Sequence, residues 1–334
     1  MNFCEEFIPW ELLRGKHVLI TGASGLIGGR LVEFLLAASK RLSLGIDVTA
    51  IVRDYEKAMA RFKFYREEQN FEIIATDITE EIPSSGPIDY IVHGAGVTGN
   101  PKLFVEKPVE VLNTAFEGTK CVLEIARERK SAGVVFLSSW EAYGTPPDCL
   151  ISESNYGGAD LEDVRTSYKE SKRLGEQLCV AYAHEFGVPT KVARISITSG
   201  PGFSEKDMRF LPQFIRMAAA GRDIVLKTAG GTVRSHVFLD DCVSAILTIL
   251  LKGSVGMAYN IANRECAFSV AEIAGMIADA AGVRVVFDSA TDIAHLGYNK
   301  TIKAVLDPSR LEALGWRPKV GMKDMLIRML EGVK

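Results

Sequence analysis

Short apolar runs alternate with longer amphipathic stretches along most of this chain. Residues 17–21 (HVLIT), 48–52, 71–76, 88–93, 134–138 and 190–195 are compact apolar runs, and each reads as a strand. Between them, apolar residues recur at helical spacing over 26–38, 108–130 and 167–186, which predicts helices. Strand and helix in alternation imply parallel pairing, because parallel neighbours need a crossover element rather than a tight turn. The pattern therefore predicts an α/β fold built on a doubly wound parallel sheet.

The rhythm breaks between Gly200 and Gly231, a stretch with several Gly and Pro and a charged patch at 205–209. It resumes at 237–240, which leads into the apolar helical pattern 242–251, with Asp240 and Asp241 placed as helix caps. From Ala267 onward the chain reads as helix, strand, loop and helix, and Met322, Met325 and Met329 sit at core-stripe spacing. The expected division is a nucleotide-binding domain over 14–199 and 232–263, with a smaller substrate-binding lobe over 200–231 and 264–334.

Composition narrows the function classes. A length of 334 residues allows about two domains, and 47% hydrophobic with 24% charged residues excludes a disordered chain. Lys plus Arg is 39 against 42 for Asp plus Glu, a net charge of −3, so no electrostatic footprint for nucleic acid or an anionic membrane is expected. The longest apolar runs, such as 245–251, are far shorter than the ~20 residues that span a bilayer. Glu5 and Glu6 precede any apolar stretch, which argues against a signal peptide. Six cysteines lack a C-x-x-C pair and read as free thiols of a cytoplasmic protein. Five histidines show no ligand spacing, so no metal is expected.

The strongest local signal is Thr21-Gly22-Ala23-Ser24-Gly25-Leu26-Ile27-Gly28, directly after the first strand and opening a helix. Gly22 permits the tight turn, Gly25 lets backbone amides approach a pyrophosphate, and Gly28 allows close packing of helix on sheet. Gly22, Ser24, Gly25, Leu26, Ile27 and Gly28 are thus candidate dinucleotide-binding positions. The second strand ends on Arg53, which suits a 2′-phosphate, so NADP is favoured over NAD, with Asp54 next in line for a ribose hydroxyl. Asp77 and Ile78, after the third strand, are candidates for the adenine.

Tyr168 and Lys172 lie four apart on one predicted helix face. A free phenol, with a pKa near ~10, is too weak a base at neutral pH, and an ammonium one turn away lowers that value. Ser139 ends the fifth strand, where ligands bind in open α/β sheets.

With these residues in place, the chain resembles the extended short-chain dehydrogenase/reductase family, in particular its nucleotide-sugar epimerases, dehydratases and decarboxylases. The resemblance runs through the glycine loop, His93-Gly94-Ala95-Gly96, Ser139, Tyr168, Lys172, Gly200-Pro201-Gly202, Arg234 before Phe238-Leu239-Asp240, Tyr259-Asn260-Ile261 and Leu314-Gly315-Trp316-Arg317-Pro318. Arg165-Thr166-Ser167-Tyr168 and Val192-Ala193-Arg194-Ile195 look most like UDP-glucuronate decarboxylases. The resemblance implies a Rossmann-type fold, with Gly94, Ala95, Gly96, Tyr168 and Lys172 at the cofactor. It implies a nucleotide-diphosphate sugar as substrate, with Tyr168 taking the 4-hydroxyl proton as hydride leaves C4 and Ser139 and Lys172 assisting. Arg234 would bind the diphosphate, and Arg209 is a further candidate substrate contact. A homodimer would form through the helices around 117–130 and 168–186, presenting Val122, Ile125, Leu178, Cys179 and Tyr182.

Departures bear on the reaction. Glu141 stands where 4,6-dehydratases and decarboxylases carry a glutamate, and as a base it points to chemistry at C5, either dehydration or decarboxylation. Dehydratases place an aspartate just before it, where this chain has Trp140. Two polar positions of the family pattern fall at Ala115 and Ile197. Rival readings are a 4-epimerase, an NADPH-dependent sugar or carbonyl reductase, and a non-catalytic dinucleotide sensor, the last disfavoured by the intact Tyr168 and Lys172 pair.

Overall fold

The computed structural model describes residues 7–83, 86–97, 102–145, 150–205, 207–288 and 302–333. Cys4, Cys149 and His295 lie outside these. Among the described residues the central sheet has seven strands: β1 (His17–Thr21), β2 (Asp47–Val52), β3 (Phe71–Ala75), β4 (Tyr90–His93), β5 (Gly133–Ser139), β7 (Thr190–Ile195) and β11 (Ala258–Ile261). Their order is β11-β7-β5-β4-β1-β2-β3, and every pairing is parallel.

Side chains alternate across this sheet, as strand geometry demands. Val18 and Ile20 of β1 join Val135 and Leu137 of β5 in one core, beneath α1 (Leu26–Leu42) and α7 (Leu239–Lys252). Leu19, Ile91, Val134 and Phe136 face the other way, against α4 (Pro108–Glu128) and α5 (Thr166–Phe186). With both faces covered, the strands are apolar almost throughout, which is why their sequence runs are continuous. The shorter α2 (Tyr55–Arg61) and α3 (Leu103–Glu106) precede β3 and α4.

Strand order reverses between β1 and β4. The crevice at the carboxyl ends of those two strands is where ligands bind in open α/β sheets.

A second sheet runs β12 (Asn263–Ser269), β10 (Val233–Phe238), β14 (Lys303–Leu306) and β6 (Leu150–Ile151), and β8 (Ile197–Ser199) pairs with β10. The segment where the sequence rhythm breaks contains α6 (Phe210–Ala219) and β9 (Ile224–Leu226), the latter paired with β13 (Val285–Phe287). Helices α6, α8 (Val270–Ala281) and α10 (Met322–Glu331) share an apolar core that includes Met322, Met325 and Met329. After α9 (Ser309–Glu312), Trp316 is fully buried and donates from its indole nitrogen to Ser244 Oγ of α7 at 3.0 Å, which pins the tail to the central sheet.

Asp240 and Asp241 are not caps, contrary to the sequence expectation. Asp240 accepts from Arg30 of α1 at 2.7 Å, and buried Asp241 accepts from the amides of Lys319 and Val320 at 3.0 and 2.9 Å. Both carboxylates are drawn away from their own helix by partners distant in sequence.

Candidate functional site

The glycine loop stands at the carboxyl end of β1. Gly22 has φ of +69°, and a Cβ there would lie 2.6 Å from the Gly94 carbonyl, so the turn excludes side chains. A Cβ on Gly28 would lie 2.5 Å from Gly22 O, because the first turn of α1 presses on the loop. Gly25 is the N-cap of this 17-residue helix and supplies no capping side chain. The free amides of the first turn, around Leu26 and Ile27, together with the helix dipole, form a cradle suited to a pyrophosphate. That is the fit a dinucleotide needs.

The facing edge is held by Thr21. Its hydroxyl accepts from the Gly94 and Ala95 amides at 3.1 Å each and bonds His93 Nδ1 at 2.7 Å. His93 Nε2 meets Thr119 of α4 at 3.2 Å, and full burial pushes the imidazole down to about 3. His93 is therefore a neutral strut joining β1, β4 and α4.

Tyr168, Ser139 and Lys172 come together one strand along. Helix α5 starts beside the end of β5, and the Ser139 hydroxyl stands close enough to the Tyr168 phenol to favour its anion. A cavity of about 10 Å³, room for about one water, is lined by Gly96, Ala115, Tyr168 and Lys172. Lys172 Nζ donates to Leu137 O at 3.0 Å and lies 5.8 Å from the Tyr168 ring, and burial lowers its pKa to about 8 against the opposing charge of Glu176. The phenol itself is pushed upward by burial, with Glu141 adding to the rise and Ser139, Arg209 and Arg165 opposing it. The lowered phenol expected from the sequence is thus not met, because desolvation dominates and the opposing cations are Arg209 and Arg165. Phe104 of α3 covers one face of the ring, stacked on Tyr168 with ring centroids 4.2 Å apart and planes 12° apart.

Glu141 lies in the short 3-10 turn Trp140–Tyr143, with its amide donating to Ser139 Oγ at 3.2 Å. Its carboxylate meets Arg165 Nη1 at 3.4 Å. Arg234 of β10 lies with its guanidinium 4.6 Å from the centre of the Trp140 ring. Arg209, at the start of α6, holds Asp207 at 2.6 Å and acts electrostatically on Tyr168. Three cations from three different elements therefore surround one tyrosine and one glutamate.

At the adenosine end, Arg53 follows β2 with its side chain 65% exposed and Nη1 3.9 Å from Glu110. Asp54 caps α2, accepting from the Lys57 amide at 2.9 Å. Asp77 Oδ1 accepts from both the amide and the hydroxyl of Thr79, which holds its carboxyl below the usual range. The Ile78 side chain is buried against Gly118 of α4. Ser24 is half-buried in the loop.

The model of the NAD dependent epimerase/dehydratase family matches residues 18–262, which spans the glycine loop, Ser139, Tyr168, Lys172 and Arg234. The chain belongs to this family. Among its relatives, UDP-glucuronic acid decarboxylase 1 of Xenopus tropicalis is 28% identical over 336 residues, covering 97% of this chain and 74% of that protein. UDP-glucuronic acid decarboxylase 6 of Arabidopsis thaliana is 28% identical over 319 residues, covering 94% and 88%. Among solved structures, the UDP-glucose 4-epimerase of Thermotoga maritima with UDP-glucose superposes with a TM-score of 0.80 at 21% identity, covering 95% of this chain and 98% of that one. The dTDP-glucose 4,6-dehydratase of Streptomyces venezuelae with NAD bound gives 0.79 at 24% identity, covering 95% and 96%. These two superpositions establish the fold, a Rossmann-type α/β sheet as expected.

Three residues of the site carry no role from sequence reasoning alone. Arg61 of α2 donates to Gly25 O at 2.7 Å and pairs with Glu33 at 3.1 Å, bracing the glycine loop, and Gly29 leaves the space its guanidinium fills. Arg165 opens the Arg165–Tyr168 motif, yet its partner Glu141 is 24 positions away. Phe104 lies in a short helix without a periodic signal. No group of histidine, cysteine, aspartate or glutamate among the described residues could hold a metal ion. No helix there is long and apolar enough to cross a membrane.

Proposed function

We propose that this chain oxidises a nucleotide-diphosphate sugar at C4 and then carries out chemistry at C5, by decarboxylation or by elimination. The observation that carries the reading is the convergence of Ser139, Glu141, Tyr168 and Lys172 at the carboxyl end of β5, with only β4 between it and the strand that bears the glycine cradle. The family's relatives named as UDP-glucuronic acid decarboxylases put UDP-glucuronate first among candidate substrates.

Gly22, Ser24, Gly25, Leu26, Ile27 and Gly28 would hold the dinucleotide pyrophosphate, Gly94, Ala95 and Gly96 would flank its nicotinamide half, and Asp77 and Ile78 would meet the adenine. A nicotinamide bound there supplies the hydride acceptor, and its positive ring favours the phenolate that burial alone disfavours. Tyr168 takes the proton of the 4-hydroxyl, Ser139 orients that hydroxyl, and Lys172 stabilises the phenolate through its charge. The C4–H electron pair leaves as hydride, so C4 becomes a ketone. That ketone accepts the electron pair released at C5, either from the C5–C6 bond as the carboxylate leaves as CO2, or from the C5–H bond as Glu141 takes the proton and returns it to the departing C6 hydroxyl, which leaves as water. C5 then takes a proton, and the hydride would return to C4 after decarboxylation or to C6 after elimination. Arg209, in the lobe over 200–231 and 264–334, and Arg234, in the 232–263 segment of the nucleotide-binding domain, would hold the anionic parts of the substrate.

NADP is the dinucleotide we favour over NAD. Arg53 is exposed with one long contact, whereas Asp54 spends its carboxylate on the α2 cap, and this suits a 2′-phosphate better than a hydroxyl. The buried free thiols Cys179, Cys242 and Cys266 support a cytoplasmic setting. Association as a homodimer completes the reading.

The test is a panel of UDP-glucuronate, UDP-glucose and dTDP-glucose, each incubated with the chain and dinucleotide but no added reductant. A pentose nucleotide or a 4-keto-6-deoxy product is expected, together with solvent deuterium at C5. Only a C4 epimer without exchange at C5 overturns the C5 step, and no product from any sugar overturns the reading.

A further inference from the structure

Arg234 is an unusual cation in this site. Its Nε is buried without a hydrogen-bond partner, and its guanidinium makes no ion pair among the described residues. Burial lowers its pKa, while the Glu141 carboxylate pulls the other way and Arg165 adds to the fall. A guanidinium whose Nε is cut off from water and which has no carboxylate partner is costly, and such groups ordinarily collapse onto the nearest anion. The nearby anion here is Glu141, and it is taken by Arg165 at 3.4 Å.

What holds Arg234 in place is Trp140. The guanidinium lies 4.6 Å from the centre of the indole ring, within the range of a cation–π contact. The indole is itself fixed, packed against a cluster formed by Tyr143, Ile151, Ala262, Ala304 and Leu306. Ala304 of β14 is the register partner of Arg234 on β10, so the strand pair sets the depth of the guanidinium and the ring sets its tilt. One face of the planar cation is thereby covered, and its N–H edge is left to bond something else.

We propose that Trp140 is a positioning residue, which clamps Arg234 apart from Glu141 so that its free N–H edge receives an oxyanion of the substrate. The inference rests on the functional reading above and deepens it. The oxyanion has two sources in a nucleotide-sugar acid, the sugar carboxylate and the diphosphate, and both present paired oxygens to a guanidinium fork. Without the indole, Arg234 falls onto Glu141, and the two groups neutralise each other before the substrate arrives.

The test compares Trp140→Phe, which keeps an aromatic face, with Trp140→Leu, which keeps apolar bulk without one. Calorimetric Kd values are taken for UDP-glucuronate, UDP-glucose and UDP, with the chain loaded with dinucleotide. Retained dinucleotide affinity in both variants shows that they fold. Trp140→Phe should bind near the wild-type level, and Trp140→Leu should weaken by about tenfold, the scale of a desolvated cation–π contact. Weakening confined to UDP-glucuronate identifies the carboxylate as the occupant, and equal weakening for all three ligands identifies the diphosphate. Adding Arg234→Lys to Trp140→Leu should cost nothing further. Trp140→Leu binding as wild type, or Trp140→Phe failing equally, overturns the clamp. Where wild type binds no nucleotide sugar, the functional reading has failed instead. The clamp is then read from stabilisation of the dinucleotide-loaded chain by sulfate, which Trp140→Leu should lose and Trp140→Phe should keep. Sulfate that stabilises all three alike, or none of them, overturns it.

Discussion

Tyr168 sits in an environment that opposes the charge its chemistry requires. Burial beneath Phe104 favours the neutral phenol, while Ser139, Arg165 and Arg209 favour the anion. Replacing Tyr168 by Phe removes the proton acceptor and little volume, so product formation should fall at least a thousandfold, within the range of general-base loss, while dinucleotide affinity changes little. A steady-state assay beside a binding titration checks both halves. Glu141→Gln keeps the shape and removes the base; C4 oxidation should persist while deuterium incorporation at C5 is lost, read by mass spectrometry of the sugar. At the other end of the site, Arg53→Ala should weaken NADP by roughly tenfold or more and leave NAD nearly unchanged, since a charge-assisted contact is worth about 1.5–3 kcal/mol. Equal affinities of wild type for the two dinucleotides would sink the NADP preference.

Elements are tied together by polar contacts that reach far along the chain. Asp241 in the first turn of α7 receives the amides of Lys319 and Val320, fastening the tail to the central domain. Burial raises its carboxyl to about 6 in spite of those two bonds. The folded state therefore binds this proton more tightly than the unfolded chain, whose value is near 3.8. The stability it contributes is fully present below about pH 4 and is lost as pH rises through about 6. Asp241→Asn keeps an acceptor without the charge and should flatten that part of the pH profile. Asp241→Ala leaves two amides unpaired and should cost about 1–3 kcal/mol, measured by urea unfolding. Helix α5 is a second case: its buried Glu176 receives Arg194 of β7 at 2.7 Å and the Ser138 hydroxyl of β5, so the helix that carries Tyr168 and Lys172 is bolted to two strands.

At the scale of the whole molecule, the surface of α4 and α5 bears on assembly. The apolar residues first expected to meet a partner are largely inside: Val122, Cys179 and Tyr182 belong to this chain's own core, because the inner faces of the two helices cover the sheet. Leu112, Phe116 and Val180 are exposed on the same helices, and Leu112 and Val180 line a hollow of about 630 Å³. A homodimer packing through these helices about a two-fold axis would cover them. Light scattering should give twice the mass of one chain at micromolar concentration, and Phe116→Glu with Val180→Glu should reduce it to one. A wild type that is monomeric throughout that range rules the dimer out.

The sequence by itself determined the parallel α/β sheet, its first strand and sixth expected strand to the residue, and the glycine turn. These depend on local properties: side-chain periodicity, the absence of a Cβ and the spacing of Tyr168 from Lys172 along one helix. It also made the segment between Gly200 and Gly231 stand out, but α6 and β9 within it were hidden because Gly and Pro mask a short helical period. Tertiary structure decided which charges pair. Arg165 with Glu141, Arg30 with Asp240, and Arg234 over Trp140 join residues 24, 210 and 94 positions apart, and no period links such positions. It also decided that Phe104 covers Tyr168 and that Asp241 serves the tail and not its own helix. Those choices follow from how packed elements bring polar groups together out of water, where each must find a partner or bear the cost of having none.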